Sequence, residues 1–262
     1  MKSIAFNLGG LTIYWYGILV ALGFLAGIWT ASRRGLRDGI AAETVVDIGP
    51  WIIVGALIGA RLLYVISYWR EQFASKPIWE ILAVRHGGLV FYGGLIGASI
   101  AVLFFARVRN LPLWRLADLL APSISLGQAF GRLGCLMNGC CYGRATNLPW
   151  AIHYPATHET FGSGVHPTQV YESILDLGLY ALLAQLFRRR HFEGQVFATY
   201  LVGYALLRAF VECFRGDYLV YYLGGWATPA QLVSAGILAA GLYLFWKLRR
   251  PLAPLGADGP AK

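Results

Sequence analysis

IYWYGILVALGFLAGIWT, residues Ile13 to Thr30, carries no charge and ends against Ala31-Ser32-Arg33-Arg34. At about 1.5 Å of rise per residue, such a run reaches roughly 27 Å as a helix, close to the roughly 30 Å of a bilayer's hydrocarbon core. Ile48 to Tyr68 and Leu232 to Trp246 repeat the pattern. The chain is 57% apolar and 13% charged. Soluble domains run near roughly 45–50% and about 25%, so these runs read as spans rather than core helices. Apolar runs set against loop charges predict an all-α fold, a polytopic membrane helix bundle of seven transmembrane helices. The spans fall near 12–31, 47–68, 88–106, 116–136, 169–187, 195–213 and 228–247, all within a single membrane domain covering 1–250.

The formal charge of +9 would suggest an acidic or nucleic-acid partner in a soluble protein, but here the cations fall in alternate loops. Arg33, Arg34 and Arg37 follow the first span, and Arg107, Arg109 and Arg115 the third. Arg188, Arg189 and Arg190 follow the fifth, and Lys247, Arg249 and Arg250 the seventh. Those loops mark the cytoplasmic side, which predicts the N-terminus out and the C-terminus in, with no role in nucleic-acid binding. Tyr14, Trp15 and Tyr16, Tyr68 and Trp69, and Tyr218, Tyr221, Tyr222 and Trp226 fall at the predicted outer ends as an aromatic belt.

The first span is too long for a typical signal-peptide core and is expected to remain. Residues 69–86 mix Trp69, Phe73, Trp79 and Leu82 with charges and Pro77, an outer interfacial segment. Residues 137–167 are rich in Gly, Pro and His and read as a small external cap, while 251–262 reads as a disordered tail. Gly55 with Gly59, and Gly93 with Gly97, are small-xxx-small pairs whose favoured role is close helix packing.

Arginines inside spans carry more information. Each costs at least about 2.5 kcal/mol to insert, so Arg61, Arg132 and Arg208 together argue for a lined cavity. Helical rise and span direction put all three in the outer leaflet with Glu172 and Glu212. Arg132 lies about 14 residues, roughly 21 Å, beyond Asp118. Tyr204, Arg208 and Glu212 form one helical stripe at i, i+4 and i+8. A guanidinium's planar fork suits phosphate, and an outer-leaflet cavity meets phospholipid headgroups first. Cys135, Cys140, Cys141 and Cys213 contain no C-x-x-C pair and no regular metal-ligand spacing. Cys140 and Cys141 either form a site of their own or, the favoured reading, are small buried or disulfide-forming cysteines of the cap.

The run Gly131-Arg132-Leu133-Gly134-Cys135-Leu136-Met137-Asn138-Gly139-Cys140-Cys141-Tyr142-Gly143 resembles the signature of bacterial prolipoprotein diacylglyceryl transferases, G-R-x-G-N-F-x-N-x-E-x-x-G. Trp15-Tyr16-Gly17, Gly93-Gly94-Leu95-Ile96-Gly97, His166 through Glu172, and Arg208 through Glu212 to Arg215 look like further family blocks in family order. The resemblance implies an enzyme of the bacterial cell inner membrane with two partners, phosphatidylglycerol and preprolipoprotein signal peptides. Such an enzyme moves the diacylglyceryl group onto the lipobox cysteine thiol, forms a thioether and releases glycerol phosphate.

The resemblance assigns Arg132 and Arg208 to clamping the phosphate, with Arg132 also binding substrate. Tyr16, Asn138, Gly143, Tyr204, Glu212 and His166 are assigned to substrate binding, Glu212 by orienting Arg208, and His166 either as a base or, the favoured reading, by shaping the cap. Neither metal nor organic cofactor is expected. Tyr92 stands at the third-span position where the best-known members carry histidine, and is the candidate base. A phenol, titrating ordinarily near about 10, is the weaker base of the two. Cys135 stands for the signature's first Asn and Cys140 for its Glu. Two alternatives stay open on the residues alone: a phospholipid-binding transporter or flippase, and a membrane thiol oxidoreductase.

Overall fold

The computed structural model describes residues 3–9, 11–74, 77–82, 87–216 and 228–249. The expected tail 251–262, the belt residues Tyr218, Tyr221, Tyr222 and Trp226, and Lys76, Arg85, His86 and Arg250 lie outside the described residues. Helices α1 (Trp15–Gly35), α2 (Ala42–Ser67), α3 (Phe91–Val108), α4 (Leu113–Asn138), α5 (Thr168–Arg188), α6 (Gln195–Glu212) and α7 (Pro229–Lys247) dominate the chain.

Among the described residues, five helical stretches are long and apolar enough to cross a membrane: Trp15–Asp38, Ala42–Ser67, Phe91–Val108, Thr168–Arg188 and Pro229–Lys247. The two that fall short, α4 and α6, are those that carry Arg115, Asp118 and Arg132, and Arg208 and Glu212. Arg132, Arg208 and Glu212, the charges of the candidate site, contribute to that deficit in hydropathy. The burial pattern is that of a protein solvated by lipid. Leu25, Ile58, Phe91 and Trp246 are more than half exposed, whereas Asp118, Glu172, Asp176, Arg208 and Glu212 are buried.

Two small β elements add to the all-α expectation. Strands β1 (Ile4–Leu8) and β2 (Leu11–Tyr14) form an antiparallel hairpin, with Gly9 in the left-handed region at φ +52°. The first helix therefore begins at Trp15 rather than near residue 12, because Leu11-Thr12-Ile13-Tyr14 pairs with the preceding strand instead of continuing the apolar helix. Strands β3 (Ile152–His153) and β4 (Gly164–Val165) form a second hairpin inside the cap.

The chain divides into two compact units, Met1–Ala31 with Ala117–Lys262, and Ser32–Leu116. In the second unit, α2 packs on α3 through the glycine pairs. A Cβ at Gly55 would sit 2.7 Å from the Gly97 carbonyl oxygen, and Cβ atoms at Gly59 and Gly93 would each collide with the other's carbonyl. The backbones thus approach closely enough that only hydrogen fits. The described part of the interfacial segment is a π-helical turn, Trp69–Phe73, and a 3-10 turn, Ile78–Leu82. Arg61 is committed to that segment: Nε donates to Ile81 O (2.7 Å), Nη2 to Glu80 O (2.7 Å), and Nη1 to Gly87 O (3.0 Å) and Gly88 O (3.2 Å). Its donors are spent on backbone carbonyls, a structural use of a costly cation.

In the first unit, α1 and α4 meet at small residues. Gly27 lies against Ser123, whose hydroxyl donates 2.6 Å to Gly27 O, and a Cβ at Gly134 would stand 3.0 Å from Tyr16 Cδ2. At the opposite end of α4, the buried Asp118 carboxylate accepts from the backbone N–H groups of Gly194 (2.8 Å) and Phe197 (2.9 Å). It satisfies donors that the first turn of α6 leaves open, with Arg190 Nε 3.9 Å away.

Candidate functional site

α4 brings Arg132 to α5, where its Nη2 pairs with Glu172 Oε1 at 2.8 Å. On α6, Arg208 Nη1 pairs with Glu212 Oε2 at 2.8 Å, the i,i+4 geometry the sequence stripe implied. Glu172 and Glu212 are essentially inaccessible, at 2% and 0% side-chain exposure, while Arg132 keeps 20%. The carboxylates are therefore anchors, and of the two arginines Arg132 keeps the more accessible side chain, 20% against 10% for Arg208. Tyr204 lies within electrostatic reach of Glu172, Arg132 and Arg208. Its ring stacks on Tyr200, 5.9 Å between centroids, and Tyr200 donates to Gln128 Oε1 at 3.1 Å.

Glu212 has a second partner. Thr228, the N-cap of α7, donates its hydroxyl to Glu212 Oε1 at 2.8 Å while accepting from Gln231 N in a capping box. One threonine thus starts α7 and holds the carboxylate that holds Arg208. Asp176, one turn beyond Glu172 on α5, is fully buried, and its carboxylate oxygens have no hydrogen-bond partner among the described residues.

The end of α4 follows from Asn138-Gly139. Gly139 adopts φ +77°, its N–H bonds Leu136 O (3.2 Å), and the N–H of Cys140 returns to Cys135 O (3.1 Å). That is the Schellman stop, and it folds residue i+5 back over residue i. The Sγ atoms of Cys135, Cys140 and Cys141 consequently lie within 4.8 Å of one another, and all three are free thiols. The first residues of α5 fix this loop. Gln169 Nε2 donates to Cys140 O (2.6 Å) and Thr168 Oγ1 to Cys141 O (2.7 Å), while Cys141 is held at φ +64°. The Cys141 thiol is held well below its ordinary range by hydrogen bonds from Cys135 and Cys140, aided by Arg215 and Arg132.

Gly143 threads between two backbones. Its N–H donates to His166 O at 2.9 Å, and a Cβ there would lie 2.6 Å from His166 Cβ and 2.7 Å from Phe214 O. His166 faces Phe214, ring centroids 5.5 Å apart, with Nδ1 3.3 Å from the Tyr171 hydroxyl, which in turn accepts from Trp150 Nε1 (2.7 Å). His158 donates from Nε2 to Gly139 O (2.8 Å) and stacks on Tyr154, pinning the cap to the end of α4. Burial raises the Tyr154 phenol above its usual value.

The structure thus brings Arg132, Arg208, Tyr204, Glu212, Asn138, Gly143, His166 and Tyr16 into one compact unit. Tyr16 remains about half exposed, and Asn138 Nδ2 points at Cys140 Sγ at 3.8 Å. Tyr92 belongs to the other unit, exposed at the start of α3 beside Phe91. Three features escaped sequence reasoning. Glu172 was grouped with the arginines by depth along its helix but not as the partner of Arg132, Asp176 was overlooked, and the three thiols were not seen to converge. The Asn-Gly stop after Cys135 was the available signal for the last.

Residues 3–247 match the family model described as Prolipoprotein diacylglyceryl transferase. A Finegoldia magna protein named phosphatidylglycerol–prolipoprotein diacylglyceryl transferase is 40% identical over 253 residues, which is 96% of this chain and 98% of that protein. A protein of the same name from Synechococcus elongatus is 39% identical, covering 92% of this chain and 85% of its own. Another from Bacillus cereus is 39% identical, covering 96% and 93%.

Proposed function

The chain belongs to the prolipoprotein diacylglyceryl transferase family, and from that premise we propose the reaction its site performs. It is a multi-pass membrane transferase that moves the diacylglyceryl group of phosphatidylglycerol to the cysteine thiol of a prolipoprotein. The thiol sulfur attacks the glycerol carbon that carries the phosphate. The C–O bond breaks, its electron pair stays on the phosphate oxygen, and glycerol phosphate departs. We assign stabilisation of that charge to Arg132 and Arg208.

The observation that carries the assignment is the pair of guanidinium–carboxylate contacts, each 2.8 Å, within an apolar helical unit. Each arginine is held by a buried carboxylate, so its position is set before the lipid arrives, and fixed donors cost no reorganisation in the transition state. Tyr204, Tyr16 and Asn138 are assigned to headgroup oxygens. Gly143 and His166 serve binding by fixing the cap backbone. Tyr92 is assigned through its family position alone. The bundle has seven spans, α4 and α6 included, with its N-terminus out and C-terminus in across the bacterial inner membrane. Loop-charge asymmetry supports that orientation. Membrane, cap and hairpins form a single domain up to residue 250.

Purified protein reconstituted with phosphatidylglycerol and a lipobox peptide tests the reading. The peptide thiol is expected to gain the mass of diacylglycerol less water. Lipid crossing the bilayer with no mass gain would replace the reading with that of a transporter.

A further inference from the structure

We propose that Cys135, Cys140 and Cys141 hold one zinc ion, and that its fourth position receives the incoming lipobox thiol. The proposal takes its acceptor from the transferase reading, but its metal only from the geometry. Three free sulfurs already lie within 4.8 Å of one another. A zinc–sulfur bond of about 2.3 Å puts tetrahedral sulfurs roughly 3.8 Å apart, so the thiols close on a metal by side-chain shifts of under about 1 Å. Their backbone is preset, through the Schellman return of Cys140 onto Cys135 (3.1 Å) and the tethers from Gln169 (2.6 Å) and Thr168 (2.7 Å). A non-glycine residue at φ +64°, as Cys141 is, persists only where its surroundings hold it.

Three protein ligands and an open fourth position are the arrangement of catalytic rather than structural zinc. The cluster lies within electrostatic reach of Arg132, and Cys141 also of Arg215. A zinc with three thiolates carries a net charge of −1, and a fourth makes it −2, a charge these guanidiniums offset. What the ion adds is deprotonation. A thiol bound to zinc gives up its proton outright, so deprotonation needs no separate side-chain base.

The step balances without an oxidant or reductant. The acceptor R–S–H releases its proton to water on binding. The sulfur lone pair forms the C–S bond, and the broken C–O bond leaves its electrons on glycerol phosphate beside Arg132. Zinc stays divalent, and the neutral thioether, a poor ligand, dissociates.

The test is metal binding by the full-length purified protein, with cobalt(II) as the spectroscopic probe for zinc. The expected result is one retained zinc per chain and a thiolate-to-cobalt charge-transfer band that grows by about a third, from three thiolates to four, when lipobox peptide is added. Cys135→Ser and Cys141→Ser are expected to weaken zinc by at least about tenfold, and Cys213→Ser, outside the cluster, to leave it unchanged. Helical circular dichroism checks that each variant folds, and the wild-type cobalt titration decides the matter if a variant does not. Wild-type protein that retains no zinc yet transfers diacylglycerol would overturn the proposal while the transferase reading stands. Bound cobalt whose band ignores the peptide, or retention of monovalent copper in preference to zinc, would also overturn it. Zinc retained and a band that responds to peptide, with no mass gain on the thiol, would instead overturn the transferase reading.

Discussion

Glu212→Gln and Glu212→Ala together separate positioning from chemistry at the candidate clamp. The carboxylate has no exposed surface, pairs with Arg208 at 2.8 Å and accepts from Thr228 at 2.8 Å. Alanine removes both contacts and takes the Glu212 counter-charge from Arg208. Breaking a buried pair in this way costs about 3–5 kcal/mol, which is between about two and nearly four orders of magnitude in the population of the correctly held guanidinium. Glutamine keeps an oxygen for Thr228 and a dipole for Arg208. A neutral partner gives roughly half the strength of a charged one, so the expected loss is about 1.5–2.5 kcal/mol, or about tenfold to seventyfold in kcat. The assay is transfer of diacylglycerol to a lipobox peptide in mixed micelles, with the unfolding midpoint of each variant measured in the same detergent. An alanine variant that folds and keeps more than a tenth of wild-type kcat would refute the reasoning. Equal losses for Gln and Ala in folded protein would show the charge itself to be required, not the placement it gives Arg208.

Three further outcomes follow from contacts described above. Arg132→Ala is expected to abolish transfer, and Arg132→Lys to lower kcat by at least about tenfold, because an ammonium keeps the charge but not the planar fork; peptide mass analysis reads both. Arg61→Met is expected to lower the unfolding midpoint, since four backbone carbonyls lose their donor, while transfer per folded molecule is unchanged. Gly143→Ala forces a Cβ to 2.7 Å from Phe214 O, and is expected to destabilise the cap by about 1–3 kcal/mol, read as faster proteolysis within residues 137–167.

Much of this was legible because membranes penalise polarity. A guanidinium within an apolar run announces itself, so Arg132 and Arg208 stood out before any contact was known. The same logic nominated Arg61, whose donors turned out to be spent on Glu80, Ile81, Gly87 and Gly88. Expense marks a residue as needed, not what it is needed for. Pairing across helices was harder to read. Arg208 and Glu212 share a helix and their spacing gives the contact, whereas Arg132 and Glu172 meet only after α4 and α5 pack. The cysteine cluster was hidden for a different reason, since i, i+5 and i+6 match no metal-ligand spacing on a continuous helix. They converge because the helix stops between them. The hairpin before α1 was hidden by its composition, for Leu11 to Tyr14 is as apolar as the span it precedes.

On the proposed seven-span reading, the two arginine–carboxylate pairs also differ in when they can form. Arg208 and Glu212 are one turn apart on α6, so that helix is synthesised with its counter-charge aboard and enters lipid as a neutral segment. Arg132 has no such companion on α4. Its carboxylate is made 40 residues later, on α5, at Glu172. Until then α4 carries the roughly 2.5–3.5 kcal/mol cost of a lone arginine at membrane depth. On that reading biogenesis has a built-in order: α4 is fully compensated in the bilayer only once α5 has emerged beside it, and the guanidinium we assign to the phosphate is the last of the pair to be held.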